Sequence, residues 1–329
     1  MKLVRTNILF IIYLCFISSD PIFVADGQYI SENHKSAIRV ANVAYVEVTS
    51  VDKPSSISQP CNIVLFDIDR KLRESITNDS FVNDIPTISP DGKHILFVSN
   101  RGTDYQTRLM LGDMAPKQIY SYDTENKTVS LFLGSTIKEI GVWKNIIWSN
   151  KIDELIVNGD LNSLFSYSLT KGLNKQIMKI EEDGYISSMS LSPSGNFIAF
   201  DFTVFSPIQF SLRILDINQQ KSSILQTSKR LVTLCDWSPD GKKLLICDSL
   251  LKFYDVSSGN SQCLNIPGEG KVFYVGEAKY ISDYEIILLA KNELYRYFIR
   301  DHRLVQLTSD GKMKNNLTIR STFRNYSFK

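Results

Sequence analysis

Ile88-Ser-Pro-Asp-Gly-Lys-His-Ile-Leu-Phe97 decides the fold of this 329-residue chain, because it recurs. It returns as Leu191-Ser-Pro-Ser-Gly-Asn-Phe-Ile-Ala-Phe200 and as Trp237-Ser-Pro-Asp-Gly-Lys-Lys-Leu-Leu-Ile246. Each copy places an apolar residue before a turn and an apolar strand after it. Proline presets φ for the turn and the following glycine tolerates positive φ, so Pro-Asp-Gly reads as a hairpin turn with a mechanism. Two weaker copies keep the serine and the strand but lose the proline: Trp148-Ser-Asn-Lys-Ile-Asp-Glu-Leu-Ile-Val157 and Ile281-Ser-Asp-Tyr-Glu-Ile-Ile-Leu-Leu289. The aligned serines, 89, 149, 192, 238 and 282, are separated by 60, 43, 46 and 44 residues.

Working outward, a second hairpin follows each copy. Its first strand is Gln118-Ile-Tyr-Ser-Tyr-Asp123, Ser163-Leu-Phe-Ser-Tyr-Ser168, Ser211-Leu-Arg-Ile-Leu-Asp216, Leu251-Lys-Phe-Tyr-Asp255 and Glu293-Leu-Tyr-Arg-Tyr297 in turn. A sixth, Asn62-Ile-Val-Leu-Phe-Asp67, precedes the first Ser-Pro-Asp-Gly. Two hairpins per 40–50 residues make a four-stranded antiparallel sheet, the unit of a propeller blade. The N-terminal unit has a second strand at residues 40–48 but no first strand, and residues 317–323 form a lone strand at the other end. Joining them completes a sixth blade and removes the open sheet edges. The expected fold is therefore all-β: a six-bladed β-propeller of four-stranded antiparallel blades, closed by strands from both chain ends. A β-sandwich with irregular hairpins fits the fixed period less well. No helix of useful length is visible.

The first residues read as an export signal. Lys2 and Arg5 precede an apolar run over residues 8–18 that is too short to span a bilayer, and Ala25-Asp26-Gly27 offers small residues at the cleavage positions. The expected organisation is a signal peptide at 1–27 and one propeller domain at 28–329, in a periplasmic or extracellular protein without a transmembrane segment in its mature form. Cys15 follows Leu14, which argues against lipidation. Cys61, Cys235, Cys247 and Cys263 remain after cleavage, and their spacing selects no disulfide pairing; Cys235 and Cys247 flank one expected hairpin. Four Asn-x-Ser/Thr sequences, at Asn78, Asn126, Asn316 and Asn325, matter only in a eukaryotic secretory host.

Composition excludes more than it proposes. The chain carries 37 basic and 35 acidic residues, so no basic face for nucleic acid is expected. Its 3 histidines, His34, His94 and His302, are far apart, and there is no Cys-x-x-Cys or ligand-spaced cluster, so no metal or other cofactor is expected. Gly-x-Ser-x-Gly, the commonest signature of a serine hydrolase nucleophile, is absent. Turn chemistry accounts for Asp91 and Asp240 without calcium.

The Ser-Pro-Asp-Gly-Lys strand, with Phe97-Val-Ser-Asn-Arg101 and Gln118-Ile-Tyr after it, resembles the repeat of TolB-type propellers, the WD40-like PD40 repeat. The likeness is strongest over residues 86–134 and 231–266. It implies a periplasmic propeller that binds protein partners; similar blades occur beside prolyl-peptidase domains and in oligogalacturonate lyases. TolB carries a further domain ahead of its propeller, for which the residues before the first strand are too few.

The expected function is thus noncatalytic binding of a protein partner by a monomer, with no catalytic residue; the alternative is a lyase- or hydrolase-type enzyme with its site in the propeller channel. The step of 60 residues locates the expected site. Its excess falls in residues 100–117, between the second and third strands of that blade, and the matching connections at 49–60 and 203–210 also read as long. In a propeller these connections share one face, and long loops on a rigid scaffold carry binding. Arg101, Asp104, Tyr105 and Arg108 combine charge with an aromatic ring, a composition found at binding hot spots.

Overall fold

The computed structural model describes residues 42–49, 59–111, 115–133, 145–149, 153–158, 161–172, 174–270 and 274–319. Blade 1 contributes β1 (Asn42–Val48), β2 (Cys61–Asp67) and β3 (Leu72–Ser75). Blade 2 is β4 (Asn83–Ile88), β5 (His94–Ser99), β6 (Gln118–Asp123) and β7 (Thr128–Leu133), with one helix, α1 (Tyr105–Leu111), between β5 and β6. Blade 3 is β8 (Asn145–Trp148), β9 (Glu154–Asn158), β10 (Ser163–Ser168) and β11 (Asn174–Lys179). Blade 4 is β12 (Gly184–Leu191), β13 (Phe197–Phe205), β14 (Ile208–Asp216) and β15 (Lys221–Ser228). Blade 5 is β16 (Thr233–Trp237), β17 (Lys243–Cys247), β18 (Leu251–Asp255) and β19 (Ser261–Cys263). Blade 6 is β20 (Val275–Ser282), β21 (Glu285–Ala290), β22 (Glu293–Phe298) and β23 (Arg303–Gln306). The last strand, β24 (Lys314–Ile319), pairs antiparallel with β1 and supplies the missing innermost strand of blade 1. The ring of six four-stranded blades is therefore closed by the two chain ends, with β24 starting three residues earlier than the sequence pattern placed it.

The recurring turn is built by its own side chains. Ser89 Oγ donates to Asp91 Oδ1 (2.6 Å) and accepts from the His94 amide (2.9 Å); the Gly92 amide donates to the Ser89 carbonyl (2.8 Å) at φ 72°. Ser238, Asp240 and Gly241 repeat this with 2.6 Å, 2.9 Å and 2.9 Å contacts. In the third copy Ser194 replaces the aspartate and its hydroxyl meets Ser192 at 3.1 Å. Partial burial opposes ionisation of Asp91 and Asp240, but hydrogen bonds from serine and backbone N–H outweigh it and hold both carboxyls below the ordinary aspartate range.

Each blade's second strand is apolar on both faces because each blade packs between two neighbours. Ile95 and Phe97 of β5 enter the cluster shared with blade 1, whereas Leu96 and Val98 enter the cluster shared with blade 3. Val43 and Tyr45 of β1 face blade 6 while Ala44 and Val46 face blade 2. Six such clusters, one per seam, form the core among the described residues. Burial of this kind stabilises by about 25 cal/mol per Å2 of apolar surface, and a closed ring leaves no blade face uncovered.

The innermost strands are also sealed by carboxylates. Register slips in β4, β12, β16, β20 and β24 free backbone N–H groups, and the buried Asp201 and the half-buried Asp236 and Glu277 collect several of them. Asp201 accepts from the Ser187, Ser188 and Leu234 amides, tying blade 4 to blade 5. Asp236 accepts from Ser190 Oγ and from the Tyr280 amide, bridging blades 4, 5 and 6. Glu277 accepts from the Asn316 (2.8 Å) and Leu317 (2.6 Å) amides and so holds β24. The closing seam adds Arg296 to Asp69 (2.9 Å) and Lys312 to Glu47 (2.9 Å).

Two readings are corrected. Residues 203–210 are not a long loop: β13 and β14 are nine-residue strands that run up to Ser206-Pro207, so the extra length projects as hairpin. The insert at 100–117 is not wholly irregular, since it contains the seven-residue α1. Residues 1–27 and most of 49–60 lie outside the described residues. Cys235, Cys247 and Cys263 are free thiols, and Cys61 Sγ donates to the Asn83 carbonyl (3.2 Å).

Candidate functional site

In an up-and-down blade the connections from second to third strand, and the linkers from each blade to the next, leave the sheet at the same end. The described residues of the insert (100–111 and 115–117), the β13–β14 tip, residue 161 and the linker residues 229–232, 264–270 and 274 therefore share one face of the ring. Four expected site residues fall in the insert, and the structure gives them different work.

Arg101 is a fixed part of the scaffold. Its guanidinium donates to Asp79 Oδ2 (3.0 Å), Asn83 Oδ1 (2.9 Å) and Ser99 Oγ (3.1 Å), and lies 4.8 Å from the Tyr120 ring centroid, 5.4 Å from Phe97 and 5.7 Å from Phe81. Asp104 caps the start of α1, accepting from the Thr107 amide (3.0 Å) and hydroxyl (2.6 Å); these bonds hold its carboxyl below the ordinary range. Arg108 stacks over Phe81, 4.7 Å from the centroid. Tyr105 is 58% exposed. Arg101 and Arg108 are thus brought together around Phe81, while Tyr105 points to solvent with Met110 and Leu111.

Those apolar residues belong to a larger set that sequence reasoning missed. Large exposed hydrophobic side chains on this face are Tyr105, Met110, Leu111, Leu161, Ile208, Leu231 and Tyr274; the four others among the described residues, Leu72, Leu131, Ile224 and Tyr284, lie on outer strands or the opposite face. Tyr105, Met110 and Leu111 share α1, whereas Leu161, Ile208, Leu231 and Tyr274 each sit alone in a connection or at a strand tip, so no local pattern marks the set; ring closure places them on one face.

The two described histidines do not converge. His94 hydrogen-bonds Ser121 in blade 2 (3.3 Å), His302 meets Tyr297 in blade 6 (2.9 Å), and His34 lies outside the described residues. Among the described residues no three His, Cys, Asp or Glu side chains group as metal ligands, and no helix is long and apolar enough to cross a membrane.

Fold and site together define a six-bladed β-propeller that carries seven exposed apolar side chains on one loop face. Its structure is similar to TolB from Acinetobacter baumannii (TM-score 0.58, 15% identity, 85% of this chain and 66% of that one, just under two thirds of its length). It is similar also to a chain of a nidogen/laminin complex (TM-score 0.62, 7% identity, 85% and 98% covered) and to an oligogalacturonate lyase in complex with manganese (TM-score 0.53, 10% identity, 80% and 73% covered). At these identities the likenesses establish the fold. By sequence the chain belongs to the family of eukaryotic translation initiation factor eIF2A, whose family model matches residues 60–253. No curated protein matches the chain.

Proposed function

We propose that this propeller is an exported, noncatalytic binding protein that takes a protein partner on its loop face. The observation that carries the reading is the gathering of seven exposed apolar side chains there, where the opposite face offers Tyr284 from an inter-strand turn. Exposed apolar side chains concentrated on one face are a mark of interaction surfaces. In this reading Tyr105 and Arg108 touch the partner, with Met110 and Leu111 beside them, and Arg101 and Asp104 hold the insert in shape. The TolB likeness supports a periplasmic binding role, and the similar nidogen/laminin chain comes from a complex.

The test replaces Tyr105, Met110 and Leu111 together with Ser. Recovery of partner by tagged protein from the native envelope or medium should fall at least tenfold, while Leu131→Ser on an outer strand leaves it unchanged. Equal recovery from both variants would place the site elsewhere.

Two rival readings have direct tests. The family name points to translation initiation in the cytosol, whereas Lys2, Arg5 and the apolar run at 8–18 point to export. Fractionation of full-length protein tagged at its C-terminus, with N-terminal sequencing, decides: we expect an exported chain beginning near Gln28, and a full-length cytosolic chain sedimenting with ribosomes would replace our reading. The lyase likeness calls for catalysis in the channel. Incubation with oligogalacturonate and Mn2+ should give no unsaturated product; turnover would make the protein an enzyme.

A further inference from the structure

We infer that β15 is a self-association edge, through which two copies of this chain pair antiparallel into one continuous eight-stranded sheet. β15 is the outermost strand of blade 4, and β14 is the one described strand it pairs with. An outer strand offers unpaired N–H and C=O groups, and proteins guard such edges with shortness and charge. The other outer strands carry those guards. β3 and β23 have four residues each, with Arg73 and Glu74 in one and Arg303 in the other; β19 has three; β11 has Lys175 and Lys179. β7 is uncharged but has six residues. β15 has eight, Lys-Ser-Ser-Ile-Leu-Gln-Thr-Ser, with Lys221 as its single charge.

The occupant follows from the strand's own sequence. An extended strand of eight residues spans about 26 Å. Antiparallel pairing with a second copy sets Lys221 opposite Ser228 of that copy at each end, so no like charges face each other. Ile224, 53% exposed, then lies near the two-fold axis, where its counterpart covers it. The contact is isologous and closes as a dimer. Two features keep it weak. The β14–β15 register slips between Arg213 and Leu212, placing a bulge at Leu225, and the Leu225 carbonyl already accepts from Tyr254 Oη of blade 5 (3.0 Å). A single strand pair also buries far less than the roughly 1,200–2,000 Å2 of a stable interface, so the chain is monomeric when dilute and pairs as concentration rises.

Sedimentation equilibrium of the full chain, from about 10 to about 500 µM, tests this independently of the loop-face reading. The weight-average mass should climb toward twice the monomer value. Ile224→Lys and Thr227→Lys, both at exposed positions, should each raise the dissociation constant at least tenfold with unchanged circular dichroism. Ser130→Lys on β7 and Tyr105→Ser on the loop face should leave it unchanged. A single monomer mass at every concentration, or a rise that both β15 variants leave intact, would overturn the inference; loss through Ser130→Lys alone would move the contact to β7 and equally refute it.

Discussion

Arg101 shows how a side chain's surroundings recast its role. Charge beside an aromatic residue in a long insert reads as a binding patch, yet its guanidinium is consumed by Asp79, Asn83 and Ser99 and walled by Phe81, Phe97 and Tyr120. Lysine cannot reproduce that planar set of donors and stacking faces. Arg101→Lys should therefore lower the thermal midpoint by several degrees and raise proteolytic cleavage within 103–116, whereas Tyr105→Ser should change neither. Asp201 gives a pH signature. Burial pushes its carboxyl up to about 6, against the pull of the Leu234, Ser188 and Ser187 amides, and burial takes Glu269 up to about 7. Both lie above the ordinary values near 4, so the native state binds more protons than the unfolded state between pH 4 and 7. Stability is then greatest below that window and falls as pH rises through it. Asp91, Asp240 and Asp310, held low, act oppositely and lose their contribution as pH falls below about 4. The urea midpoint should peak near pH 4–5, and Asp201→Asn should flatten the decline between pH 4.5 and 6.5.

Among the elements, the Ser-Pro-Asp-Gly hairpin is the most self-sufficient. Its serine, aspartate and glycine satisfy one another locally, so Ser89→Ala and Ser238→Ala should each cost about 1 kcal/mol in denaturant unfolding, nearly additively because they lie in different blades. The insert between β5 and β6 behaves differently. None of the residues of α1 is buried, so replacing residues 103–116 by a short Gly-Ser link should leave unfolding cooperative while abolishing partner recovery. The β13–β14 hairpin is a third case: its length was visible as excess residues, but loop and strand extension cannot be told apart by counting.

The molecule as a whole depends on closure. Lys314 is fully buried where β24 begins, bonded to Asp310, Glu293 (3.3 Å) and the Asn292 carbonyl (2.8 Å). Removing one partner of a buried ion pair leaves uncompensated charge, at about 3–5 kcal/mol, so Lys314→Ala should show that loss in chemical denaturation. Deleting residues 314–329 strips β24 from β1, removes Leu317 from the core and uncovers the Val43–Tyr45 side of the closing seam. The truncated protein should unfold broadly and bind a hydrophobic dye; a sharp transition at the wild-type midpoint would mean the ring does not need its clasp.

The sequence by itself determined the blades and their number. Turn residues act through neighbours two to five positions away, and strands sandwiched between blades are apolar on both faces, so both leave local signals such as Ile88–Phe97. It also located the enlarged loop, as an interruption of an even period. Only the tertiary structure decided which side chains of that loop are free and which other blades contribute to the same face. Arg101 meets Asp79 from 22 residues away, and Tyr105, Ile208 and Tyr274 share a face although up to 169 positions separate them. Those relations are made by ring closure, which gathers solitary exposed residues that no local period connects.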